Sequence, residues 1–130
     1  MLCKSNRVHF VGRLTDDELR WHHYAASVFA FPSITRNEAF GVALAEAMYC
    51  QTPTVTFTIL GSGVNWVSLN GETGIEVPNR DIKAYAQALD KLLTNDSLRE
   101  EMGVRAKKRV TDYFLVSQMV QTMDKLYNEL

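Results

Sequence analysis

Cysteine is nearly absent: Cys3 and Cys50 are the only two in 130 residues, too few for a disulfide framework or a thiolate metal site. Cys50 closes an apolar run and reads as a small core residue, so a reducing cytosolic setting is the default expectation. Long hydrophobic runs are missing too. The longest, Ala25–Pro32, falls far short of the roughly 20 residues that span a bilayer. No charged-then-apolar leader opens the chain. An excess of charge of either sign is also lacking: 14 Lys and Arg against 15 Asp and Glu leave a net charge of -1, which gives no general pull toward nucleic acid. Internal repeats and low-complexity tracts do not occur. Neither a nucleophile–His–acid spacing nor a cluster of metal ligands is present, so hydrolase and metalloenzyme readings have nothing to rest on. What remains is ordinary for one globular domain with a real core: 46% hydrophobic and 22% charged residues.

Strand and helix signals alternate. Val8–Val11 reads as a short strand ending at Gly12. Thr15 opens a helix, and Glu18, three places on, completes a capping box. Leu19, His22, His23 and Ala26 fall at helical spacing on one face. Ser27–Phe31 is an almost continuous apolar run, as expected of a parallel strand covered on both faces. A polar loop, Thr35–Asn37, leads to a helix over Phe40–Cys50. Pro53–Phe57 is the next strand, Gly61–Gly63 a flexible loop, Val64–Leu69 a helical turn, and Ile75–Val77 a last short strand. Asn79 or Asp81 caps a helix through Leu93 with Ile82, Tyr85, Ala86, Leu89, Leu92 and Leu93 on one face. Asn95–Tyr113, interrupted near Gly103, and Val116–Leu130 complete the chain. This order predicts a three-layer α/β/α Rossmann-like fold with a parallel sheet. Four strands are counted where an open nucleotide-binding domain has about six, so further strands are expected upstream.

The chemistry concentrates in Pro32–Met48. A helix starting after a strand and loop points its N-terminus at the carboxyl edge of the sheet, where open α/β folds bind ligands. Gly41 removes a side chain where an anion would approach first-turn N–H groups, at the positive end of the helix dipole. Glu46 is flanked by Val42, Ala43, Leu44, Ala45, Ala47 and Met48, which predicts a helix buried nearly all round. A carboxylate there needs hydrogen-bond partners, and a pair of ribose hydroxyls would supply them. Glu38 lies just before the helix, at the rim. Each has a plainer reading: Glu38 as an acid complementing the dipole, Glu46 on a solvated stripe or paired with a basic side chain, Gly41 as a packing glycine.

Glu38 and Glu46, with Phe40-Gly41 between them and Ala47-Met48 after, resemble the signature of retaining GT-B glycosyltransferases. That family includes glycogen and sucrose synthases and many bacterial polysaccharide-building enzymes. Pro32-Ser33, Thr52-Pro53, Gly61–Gly63 and Asn70–Gly74 extend the resemblance across most of the chain. It implies that Glu46 holds the ribose, that Glu38 is the catalytic residue at the donor sugar, and that Phe40, Gly41 and Val42 offer backbone N–H groups to the sugar or diphosphate. It implies no metal and no cofactor, the nucleoside diphosphate sugar being a substrate. The whole of residues 1–130 would be the donor-binding part of a GT-B C-terminal domain, lacking its first strands and the N-terminal acceptor domain, and inactive alone. The parent enzyme would move a hexosyl unit to a glycan or lipid-linked acceptor in polysaccharide or lipopolysaccharide assembly. It would work in the cytoplasm, with peripheral contact at the inner face of the membrane, and without nucleic acid. A GT-B sugar-nucleotide epimerase and a non-catalytic nucleotide-sugar-binding module share these features.

Three departures from the family stand out. Gly12-Arg13-Leu14 is followed by Thr15–Glu18 rather than Lys-Gly, so Arg13 is read as a loop residue and the diphosphate-gripping Arg and Lys are expected upstream. Gln51 stands where the family has glycine, which reshapes the helix exit. The acceptor-binding N-terminal domain is not expected within these residues. His22 and His23 are placed mid-helix, away from the crevice, as structural residues. Lys107, Lys108 and Arg109 are read as a solvated helix face, with a membrane or partner contact as the other reading. Trp66 is expected near the donor site. Missing strands predict an exposed sheet edge and self-association of the isolated chain.

Overall fold

Thr15 begins the first regular element as its local chemistry dictates. Its hydroxyl accepts from the Glu18 N–H (3.3 Å), and the Glu18 carboxylate accepts from the Thr15 N–H (2.8 Å). Those bonds, the backbone one foremost, hold the Glu18 carboxyl below the usual range. The computed structural model describes residues 5–129. Its elements run α1 (Asp16–Ala25), β1 (Phe29–Phe31), α2 (Val42–Tyr49), β2 (Thr54–Phe57), α3 (Val64–Val67), β3 (Gly74–Val77), α4 (Ile82–Leu93), α5 (Asp96–Tyr113) and α6 (Val116–Asn128). The strands form one parallel sheet in the order β1-β2-β3, with Phe29 opposite Thr54 and Val55 opposite Ile75. Flanking helices complete an α/β fold.

β2 is the centre: all four of its residues are buried. Its buried Thr54 is accommodated by hydroxyl pairing with Ser68 (2.7 Å), whose hydroxyl also meets that of Thr73 (3.2 Å). Tyr85 of α4 donates to the Val55 carbonyl (2.9 Å), and burial pushes its phenol up to about 12. β1 has a neighbour on one side only among the described residues, which leaves the edge that the sequence led us to expect. α6 carries Val116, Met119, Val120, Met123, Leu126 and Tyr127 at helical spacing, all exposed. No helix among the described residues is long and apolar enough to cross a membrane.

Four expectations are corrected. Val8–Val11 is not a strand. It is irregular and exposed, with Phe10 82% accessible, because a ladder needs a neighbour and none is present among the described residues. The helix expected from Phe40 starts at Val42, since Gly41 has a positive φ of 88° and acts as the N-cap. On α4 the buried stripe is Tyr85, Ala88 and Leu92, while Ile82, Ala86 and Leu93 face outward. α5 runs unbroken through Gly103, which is buried. A side chain there would meet the Gln51 carbonyl well under 3 Å away, so this glycine lets α5 rest on the exit turn of α2. Gln51 itself has a φ of 64°, the left-handed conformation that glycine adopts at no steric cost. Cys3 lies outside the described residues.

Gly103 gives a prediction whose sign separates two effects. Helix propensity alone favours Gly103→Ala by about 1 kcal/mol. Overpacking against a backbone carbonyl costs about 1–3 kcal/mol. A lower melting temperature for the variant is expected in thermal unfolding. A raised one would show that the helix–turn contact is not tight.

Candidate functional site

α2 positions the signature residues. Gly41 is buried and uses its left-handed backbone to turn the chain into the helix; its carbonyl accepts from the Leu44 and Ala45 N–H groups. No side chain caps this N-terminus, so first-turn N–H groups are left for a ligand. The loop behind is clamped. Gly63 N–H donates to the Ala39 carbonyl (2.7 Å), and the Ser62 hydroxyl donates to the Glu38 carbonyl. A Cβ on Gly63 would sit 2.5 Å from the Ala39 oxygen, so this close approach requires glycine. Asn65 ties the same loop down, accepting from the Ile59 N–H (2.7 Å) and donating to the Phe57 carbonyl (3.0 Å).

The helix is not buried all round, and the burial argument for Glu46 is corrected accordingly. Leu44, Ala47 and Met48 face the core, whereas Val42, Ala43, Glu46 and Tyr49 are exposed. The reason is that neighbouring elements cover only one flank of α2. The other flank opens on a groove of about 860 Å³ between α1 and the α5–α6 junction, lined by Phe40, Val42 and Glu46, with Trp66, Phe114 and His23 among its other walls. Val42 and Glu46 stand four residues apart, so both lie on the groove side, one turn from each other. Glu38 does not line this groove. It is half-buried two residues before the lining Phe40, in a turn closed by its N–H on the Thr35 carbonyl (3.2 Å). A second groove, of about 540 Å³, follows the carboxyl ends of the strands and is lined by Ile34, Arg36, Thr58–Leu60, Pro78 and Asn79.

His23 was expected away from the ligand side and is corrected to a wall of the Glu46 groove. It is 6% exposed, its Nε2 has no hydrogen-bond partner, and its ring meets Phe29 edge-on at 5.3 Å. Burial holds its imidazole below the ordinary value, with the Glu46 carboxylate opposing. The unfolded chain therefore binds more protons than the folded one as pH falls below about 6.5. The His23 contribution to stability is full above that pH and is lost as pH falls toward the folded-state value. A His23→Phe variant should lose that part of the acid-side slope in thermal unfolding. An unchanged slope would remove His23 as its source. His22 differs: it is exposed and donates from Nδ1 to the Glu18 carbonyl (2.8 Å).

Trp66 lines the same groove as Glu46, edge-on to Phe40 at 6.3 Å. The basic run on α5 is not a uniform solvated face: Lys107 lies over the Tyr49 ring (5.2 Å), Lys108 pairs with Asp112 (2.6 Å), and Arg109 turns inward. Sequence reasoning missed Arg109, since nothing in a Lys-Lys-Arg string marks which member folds back. Among the described residues no group of His, Cys, Asp or Glu is arranged to hold a metal.

A parallel sheet flanked by helices, with a glycine-capped helix N-terminus opening on a groove, makes a Rossmann-like α/β fold, as in GT-B glycosyltransferases. The chain belongs to the family described as glycosyl transferases group 1, which it matches over residues 2–109. It is 36% identical over 102 residues to the capsular polysaccharide biosynthesis glycosyltransferase CapM of Staphylococcus aureus, covering 78% of this chain and 26% of that protein. Sucrose-phosphate synthase from Thermosynechococcus elongatus superposes with a TM-score of 0.85 at 31% identity, covering 95% of this chain and 30% of the synthase. HepE from Anabaena in complex with UDP-glucose shares the fold, with a TM-score of 0.84 at 21% identity over 96% of this chain and 33% of HepE. The chain thus spans about a quarter to a third of the length of these relatives.

Proposed function

We propose that this chain is the donor-binding part of a retaining glycosyltransferase that moves a hexosyl unit from a nucleoside diphosphate sugar to a glycan or lipid-linked acceptor. The observation that carries the reading is the pairing of the α2 N-terminus, which no side chain caps, with Glu46 on one groove wall. A diphosphate is at home on the N–H groups of Phe40, Gly41 and Val42. Glu46 lies four residues past Val42, about 6 Å along the helix, where it receives the ribose hydroxyls. Glu38, two residues before the lining Phe40, is assigned to the donor sugar as the catalytic residue. The UDP-glucose complex of HepE and the capsular role of CapM support the donor class and a setting in polysaccharide assembly.

The groove holds Asp16, Asp17 and Glu46 against Arg20, and Arg20 is paired with Asp17. Its own charge does not neutralise a diphosphate, so basic groups from the rest of the longer protein are assigned that task. The acceptor is assigned to that remainder as well, and the chain alone is proposed to be inactive. A thermal-shift panel of UDP, GDP and ADP sugars against the full-length protein tests the donor class. One nucleotide class at about a hundred times its Kd should stabilise by about 2.7 kcal/mol. No shift with any of them would remove the reading. By itself the chain, with β1 paired on one side only among the described residues and an exposed apolar α6 face, should self-associate. Light scattering showing a clean monomer at high concentration would count against that.

A further inference from the structure

The geometry points to Arg109 as a positioning residue of the donor site, acting through the single turn of α3 on the Phe40–Val42 entry to α2. This rests on the reading that this entry binds the donor. Arg109 does not line the groove. Its Nε donates to the Val67 carbonyl at 2.9 Å, and an Nη donates to the Trp66 carbonyl. These are the last carbonyls of α3, a helix too short to satisfy them itself, and a guanidinium fork also complements the negative end of the helix.

The opposite end of α3 grips the site. Gly63, its N-cap, donates to the Ala39 carbonyl at 2.7 Å, one residue before Phe40. A second route runs through rings. The guanidinium lies over Trp66 and Phe114, 5.8 and 5.6 Å from their centroids. Trp66 and Phe114 meet each other at 5.0 Å, and Phe40 meets Phe114 at 5.4 Å and Trp66 at 6.3 Å. Phe40, Trp66 and Phe114 thus form a closed triangle. Arg109 fixes Trp66 by backbone and ring together, and Phe40 is held by the other two. Backbone at Ala39 and side chain at Phe40 are both anchored to one guanidinium, and Gly41 follows directly with its unusual φ.

The test uses the full-length protein with Arg109→Ala and Arg109→Lys, the latter keeping charge but losing the planar fork. Amide hydrogen exchange is read at residues 40–43, and affinity is measured for UDP, GDP and ADP. Both variants should exchange about tenfold faster at 40–43 and bind the preferred nucleotide about tenfold more weakly, with β2 and β3 still protected. Faster exchange confined to α3 and α5, with 40–43 and affinity unchanged, would reduce Arg109 to a packing residue and overturn the inference. Should the alanine variant not fold, the lysine variant carries the same test. A Glu46→Ala arm separates the two readings. If Glu46→Ala leaves affinity unchanged, the donor reading fails. If it weakens binding while both Arg109 variants do not, only the inference about Arg109 fails.

Discussion

Glu38→Ala in the full-length protein is expected to lower transferase turnover by about 10²–10³-fold, the size of losing one preorganised electrostatic contact to a transition state. The fold should not suffer. The Glu38 N–H bonds the Thr35 carbonyl at 3.2 Å, and its carbonyl accepts from the Ser62 hydroxyl. Both are backbone groups that alanine keeps, so the melting temperature should stay put while turnover falls. Wild-type turnover in the variant would end the catalytic assignment. It would favour a module that binds nucleotide sugars without reacting them.

The second large effect is on binding. Glu46→Ala should weaken donor affinity about 10–100-fold, since hydrogen bonds to a charged group contribute about 1.5–3 kcal/mol. Because Glu46 is exposed and takes part in none of the ion pairs among the described residues, the stability cost should stay within about 0.5 kcal/mol. Glu46→Gln keeps the shape and one acceptor oxygen, and should recover part of the affinity. Calorimetric titration of the full-length wild type and both variants reads the affinities, and thermal unfolding reads the stability. Equal affinities would take Glu46 out of the site.

Local chemistry was legible in the sequence wherever it is complete within a few residues. The Thr15–Glu18 capping box follows from neighbours in the chain, and of the two caps offered for α4 it is Asp81 that accepts from the Ala84 N–H. The two-face cover expected of Ser27–Phe31 is not met, since Phe29 and Phe31 are half-buried and Ala30 between them is exposed. The site was legible as a pattern but not as a geometry. Apolar neighbours around Glu46 predicted burial, yet whether a flank is covered depends on elements packed from elsewhere, and here α2 is covered on one side only. Val8–Val11 fails as a strand for the same reason, since strand identity belongs to a pair. Gly103 looked like a helix breaker because the Gln51 carbonyl it admits is 52 positions away in sequence. Arg109 was invisible among its basic neighbours because its partners, the Trp66 and Val67 carbonyls, lie across the fold. Gln51 is the reverse case. Its departure from glycine was visible in sequence, and its left-handed backbone locates the consequence at the α2 exit.

Hydrogen exchange of the full-length protein, with and without the nucleoside diphosphate sugar that stabilises it most, addresses the donor groove most directly. Slower exchange at Val42 and Ala43, with Glu46→Ala abolishing it, is the predicted result. Protection confined to Ile34–Arg36, Thr58–Leu60 and Asn79, leaving the start of α2 untouched, would place the ligand in the other groove and contradict the account.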